Sequence, residues 1–151
     1  MSGKIDPRCI LPALETCRFC QGRVNYVNNS EVYGKSFGKW PYLYLCSSSS
    51  CKAFVGVHPG TKIPLGTLAD EATRRARKEA HSAFDQLWQG GRMKRGEAYH
   101  WLAKELRIER WRCHMAWFDA PMCRRVVKIC QGYLKESNGH LSDQDAYRLM
   151  A

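Results

Sequence analysis

CRFCQGRVNYVNNSEVYGKSFGKWPYLYLCSSSSC, residues 17–51, holds two short cysteine loops, Cys17-x-x-Cys20 and Cys46-(Ser)4-Cys51, separated by 25 residues. Zn²⁺ prefers four soft thiolates in a tetrahedron, and each loop supplies two of them from one tight turn. The intervening 25 residues suffice for a strand, a hairpin tip and a return strand, which bring the second loop back to the first. RVNYVN (23–28) and WPYLYLC (40–46) read as those strands, and the Asn, Ser and Gly residues of NNSEVYGKSFGK as the tip. The spacing therefore predicts one structural Zn²⁺ on Cys17, Cys20, Cys46 and Cys51. Such a site leaves no open coordination position, so it folds the chain rather than catalysing. The plain alternatives are four unrelated cysteines or a CxxC redox motif, and the latter lacks its usual βαβ setting.

Beyond this segment AFVGV (53–57) reads as a further strand, and HPGTKIPLG (58–66), with two Pro and two Gly, as a connector. The sequence then becomes helical. Ala69, Ala72, Ala76, Ala80, Ala83, Phe84 and Leu87 recur at helical spacing over about 68–89, ended by Gly90-Gly91. A second helix over about 94–107 places Ala98, Trp101, Leu102 and Leu106 on one side. A third starts after Asp119-Ala-Pro121, with Met122, Val126, Ile129, Cys130 and Tyr133 as its apolar stripe. Ser142 with Asp145 predicts a separate capped helix at the C-terminus. The expected fold class is α+β: a zinc ribbon of β-hairpins in 1–64, then a small three- to four-helix bundle in 65–151.

The 151 residues include 24 Lys+Arg against 14 Asp+Glu, a formal charge of +10. Four thiolates around Zn²⁺ add a net −2, leaving about +8 on the loaded chain. Apolar residues make up 44%, too many for a disordered chain. The N-terminus shows no basic segment followed by an apolar stretch, and no run approaches the roughly 18 apolar residues of a membrane span. The expectation is a reducing cytoplasm, where clustered cysteines hold metal.

CRFC, YGKSFGKWPYLYLC and CSSSSCKAFVGVH together resemble the four-cysteine zinc ribbon at the C-terminus of type IA topoisomerases. The CxxC, the Cx4C and the CKAF that completes it also resemble the Ogr/Delta family of phage late-transcription activators. A longer likeness runs through VGVHPGTKIPLGTLAD, KEAHSAFDQLW, EAYHWLAKEL and FDAPMC, about residues 15–131. It is to a phage and prophage family of zinc-finger-containing domains of unknown function. The topoisomerase likeness implies contact with single-stranded DNA, partly by base stacking on aromatics. The activator likeness implies contact with promoter DNA and host RNA polymerase.

The positive charge makes a polyanion or an acidic protein surface the expected partner. Lys35, Phe37 and Lys39 at the ribbon tip interleave cations with an aromatic ring, a pattern that pairs phosphates while stacking bases. The plain alternative for the ribbon aromatics is that Tyr42 and Tyr44 alternate into the small core with Trp40 covering it, which leaves Phe37 at the tip as the ring expected to be free. Arg74, Arg77 and Lys78 on the first helix, Arg92, Lys94 and Arg95 before the second, and Arg124, Arg125 and Lys128 on the third extend the basic surface. Nucleic acid, DNA ahead of RNA, is the expected partner of a phage-encoded, non-enzymatic accessory protein. A regulator or inhibitor acting on host RNA polymerase or a host defence complex is the alternative. A metal-dependent nuclease is the third class, but no open metal site, paired acids or HExxH, GxxxxGK[ST] or GxSxG motif calls for one. No small-molecule substrate is expected. Cys113, His114 and Cys123 invite a second metal site, but buried thiols favour core packing. Cys9 has no partner at useful spacing, His58 reads as a loop residue, and His81 with Asp85 as a surface pair.

Overall fold

The computed structural model describes residues 4–150, with side chains as far as Ser137. Its N-terminal half is built on three antiparallel strands, β1 (Val24–Asn28), β2 (Tyr42–Cys46) and β3 (Phe54–Gly56), in the order β1-β2-β3. The register sets Tyr26 opposite Tyr44, and Tyr44 opposite Val55. Period-two alternation then gives two faces. Val24, Tyr44, Cys46 and Val55 bury the inner face with Cys17, Ala53, Val57 and Leu68. Leu43, Leu45 and Phe54 belong to the outer face. Only Tyr44 of the tyrosine pair enters the core. Tyr42 lies at the open end of the inner face, stacked on Tyr26 at 5.5 Å. The expected tip is more ordered than a turn, since it includes the one-turn helix α1 (Ser30–Tyr33) closed by Gly34.

The helical half consists of α2 (Glu71–Gln89), α3 (Arg95–Leu106) and α4 (Ala120–Met150). Helix α2 starts slightly later than its alanine spacing predicts because Asp70 caps it, accepting a 2.8 Å hydrogen bond from the Thr73 amide. Helix α3 is entered through Lys94, whose amide donates to the Glu97 carboxylate at 3.3 Å. Two short 3-10 turns, Arg110–Arg112 and Met115–Trp117, form the long connection to α4. Helix α4 continues through Ser142, so no separate C-terminal helix forms; the side chains of the expected Ser142 cap lie outside those described. Phe84, Leu87, Leu102, Val126, Cys113, Cys123 and Cys130 bury completely between the helices. The stripes expected from the sequence meet in one core from Ala76 onward, whereas Ala72 is exposed in the first turn of α2 and Ala69, ahead of the helix, is buried outside this core. Among the described residues no helix is long and apolar enough to cross a membrane.

The two halves are joined by backbone as well as side chains. Phe54 and Ala69 exchange hydrogen bonds at 2.9 and 3.1 Å, which ties β3 to the approach to α2. The Thr67 amide donates to the Ala116 carbonyl at 3.0 Å, and a Cβ on Gly66 would overlap that same carbonyl.

Candidate metal centre and basic surface

Each cysteine loop is a turn that ends in a residue with left-handed backbone. Gln21 (φ 66°) follows Cys20, and Lys52 (φ 51°) follows Cys51. The Gln21 amide donates to the Cys17 carbonyl at 2.9 Å, and the Lys52 amide to the Ser48 carbonyl at 3.1 Å. Amides within and just after the first turn point towards sulfur. Phe19 N–H reaches Cys17 Sγ and Gly22 N–H reaches Cys20 Sγ, both at 3.4 Å. A Cβ on Gly22 would stand 3.2 Å from Cys20 Sγ and 3.7 Å from Cys46 Sγ, so the close approach of this backbone to the thiols favours glycine.

The four sulfurs of Cys17, Cys20, Cys46 and Cys51 lie within 4.8 Å of one another. Cys17 and Cys51 are 3.7 Å apart, and Cys20 and Cys46 are 3.4 Å apart. Zn–S bonds of about 2.3 Å require tetrahedral sulfurs about 3.8 Å apart, so the cluster fits one Zn²⁺. Burial pushes the Cys46 thiol up to about 12. Cys17 is also opposed by burial, but the N–H groups of Cys20 and Phe19 bring it down to about 7. Bound zinc supplies the charge that ionises all four thiols together and crosslinks the two loops. The donor set is complete with these four, and the role is structural.

The other thiols take no part. Cys113, Cys123 and Cys130 are buried in the helical core, and burial raises each of them. Among the described residues they join no group of three potential ligands. Cys9 does have a neighbour that spacing concealed: its Sγ lies 3.3 Å from His114 Nε2, across 105 positions of chain. His58 is half-buried in its loop, bonded through its own backbone to Ile63. His81 and Asp85 form the expected surface pair at 3.0 Å.

The basic residues divide by environment. Lys35 sits 5.1 Å over the Phe37 ring at the ribbon tip, with Lys39 exposed two residues on. The Asn29 side chain pins this tip, donating to the Phe37 carbonyl and accepting from its amide, both at 3.0 Å. Tyr33 is 53% exposed, Phe37 47% and Trp40 40%, too much for a core role alone. Trp40 is anchored through its indole N–H to the Thr61 carbonyl at 2.9 Å. Lys78, Lys94, Arg124, Arg125 and Lys128 are exposed, and among the described residues none of them is in an ion pair. Arg92 is exposed as well. Arg95 leans over Tyr99 at 5.1 Å.

Arg77 departs from the expected cationic face. It turns inward to donate to the Phe118 carbonyl at 2.9 Å, the Thr67 carbonyl at 2.9 Å and the Thr67 hydroxyl at 2.6 Å. Burial lowers its ionisation to about 10, so it stays charged at neutral pH and ties α2 to the two connectors. Arg74 is half-committed, with one N–H on the Ala69 carbonyl at 2.7 Å and its guanidinium 4.0 Å over the Phe54 ring.

Residues 13–133 match a family described as a zinc-finger-containing domain. No curated protein and no solved structure matches the chain.

Proposed function

Since the chain belongs to the family of zinc-finger-containing domains, we propose that it is a zinc-stapled accessory protein that binds nucleic acid through its ribbon tip. The observation that carries this reading is the tip itself. Tyr33 and Phe37 stand exposed and edge-to-face at 5.7 Å, with the Lys35 ammonium over the second ring. Rings held open to solvent stack bases, and the adjacent ammoniums pair phosphates. Lys35, Lys39 and Lys62 have no carboxylate partner among the described residues, so their charge is available to a polyanion. The exposed Lys78, Lys94, Arg124, Arg125 and Lys128 extend the attraction without setting its geometry. DNA stands ahead of RNA, and a phage-encoded origin in a bacterial host ahead of others, by the resemblances carried in residues 17–58. A binding rather than catalytic role accords with a metal site whose four thiolates make it structural.

The test is direct. Lys35→Glu and Phe37→Ala are each expected to weaken DNA binding about tenfold, since a charge contact or one stacked base is worth this much. Unchanged affinity in both variants contradicts the reading.

A second reading, a regulator docked on host RNA polymerase or a defence complex, is favoured by a different surface. Two recesses of about 490 and 480 Å³ share Trp117, Phe118 and Met122. Arg18 and Asp119 line the first, and Arg8 and Arg112, paired with Asp6 and Glu109, line the second. Apolar surface with a rim of mixed charge fits an amphipathic segment of a partner protein. A complex with purified host polymerase that forms without nucleic acid and is lost with Met122→Glu supports this reading. Absence of that complex contradicts its polymerase form.

A further inference from the structure

The outer face of the sheet contains a recess of about 310 Å³ beside the Ser47–Ser49 turn, bordered also by the ligand position Cys46. Its floor is apolar. Leu45 and Phe54 pair across β2 and β3, and Val32 of α1 stands on one side. Its walls carry charge and hydroxyls. Arg74 is fixed over the Phe54 ring by its bond to the Ala69 carbonyl. Lys52 leaves the backbone from a left-handed residue and has no carboxylate partner among the described residues. Ser47, Ser48 and Ser49 bring hydroxyls, and Glu31 one carboxylate.

The chemistry of this lining narrows the ligand. An inorganic anion satisfies Lys52 and Arg74 but makes no use of Leu45, Phe54 and Val32. A purely apolar molecule strips water from two cations and gives them no partner. A nucleobase with its phosphate uses both: the flat ring meets Leu45, Val32 and the Arg74 guanidinium plane that covers Phe54, Glu31 accepts from ring or exocyclic N–H groups, and Lys52 with the serines holds the phosphate. Position supports the same class. The Tyr33 ring lies 6.2 Å from Phe54 and 5.7 Å from Phe37, so it links this recess to the tip. A base can enter such a recess only outside a duplex stack, whereas phosphates at the tip are reachable in either form.

We propose that the recess takes one unpaired nucleobase with its phosphate, so that the protein binds single strands in preference to duplexes. This rests on the nucleic-acid reading of the tip and adds to it a site and a strand preference.

Fluorescence anisotropy of the zinc-loaded protein at low salt tests it, with a labelled single-stranded oligonucleotide and the duplex of the same sequence. The single strand is expected to bind about tenfold more tightly, the scale of one stacked base. Lys52→Gln and Ser49→Glu are expected to remove that preference by weakening single-strand binding alone, with zinc content unchanged as the check on folding. Lys35→Glu weakens both forms. Equal affinity for the two forms overturns the recess while leaving the tip in place. So do Lys52→Gln and Ser49→Glu proteins that keep wild-type single-strand affinity. Failure of both oligonucleotides to bind overturns the tip and the recess together.

Discussion

Asn29 has a short side chain that closes a ring with the Phe37 backbone, accepting from its amide and donating to its carbonyl. That pair of bonds replaces two water contacts and fixes where Phe37 and Lys35 stand. Asn29→Ala is expected to leave zinc binding intact and to weaken nucleic-acid affinity several-fold, as stacking groups lose their preset position. Equal affinity in the variant would show that the tip needs no such pin. The cysteine pattern was legible at this scale because ligand spacing is local: CxxC and Cx4C each describe one turn. Arg77 was not legible, since its acceptors on Thr67 and Phe118 lie 10 and 41 positions away. From sequence it is one cation among Arg74, Arg75 and Lys78. Arg77→Met is expected to cost about 1–3 kcal/mol by leaving the carbonyls of Thr67 and Phe118 unpaired. Chemical denaturation measures this, and DNA affinity serves as the control that stays near wild type.

Helix α2 shows what elements add. Its apolar spacing from Ala76 to Leu87 marks the buried face, Ala72 being exposed, and the start is set by Asp70. Hydrogen bonds from Thr73, partly opposed by burial, hold the Asp70 carboxyl below its ordinary value. An acid depressed in the folded state contributes stability above its unfolded value, about pH 4, and loses it as pH falls. Asp70→Ala is expected to destabilise by about 1 kcal/mol at neutral pH. The deficit should shrink on acidification below pH 4, and a deficit independent of pH would contradict this account of the cap. The end of α4 was misread for a related reason. A cap-like pair such as Ser142 and Asp145 marks a start only if the preceding chain leaves the helix, and here it does not. Gly66 belongs to the same scale. Gly66→Ala pushes the connector off the Ala116 carbonyl, so thermal unfolding is expected at a clearly lower temperature.

Across the whole molecule two separate hydrophobic clusters are held by different means. The ribbon buries Cys17, Val24, Tyr44, Cys46, Ala53 and a few neighbours around its thiols, a core too small to persist without the metal. The helical cluster, centred on Phe84, Leu87, Leu102 and Val126, contains none of the four ligands. Chelation is therefore expected to remove the strand signal in circular dichroism and to leave most of the helical signal. Complete loss of both would show that the halves fold as one unit. Cys46→Ser should reproduce the chelated state without chelator. That strands come first and helices after was readable from turn signals and apolar spacing, but the bridges that join them were not. They are made by backbone groups of Phe54, Ala69, Thr67 and Ala116, which carry no side-chain signature.

The same scale holds the functional claim, because net charge acts through the whole surface while the tip and recess act through particular groups. The measurement that bears on it most directly is the affinity of the zinc-loaded protein for a labelled DNA oligonucleotide across a salt series. Binding that weakens linearly in log affinity against log salt, with a slope of several phosphate contacts that falls by about one for Lys35→Glu, is the predicted result. No binding at the lowest ionic strength, or binding indifferent to salt, would contradict it.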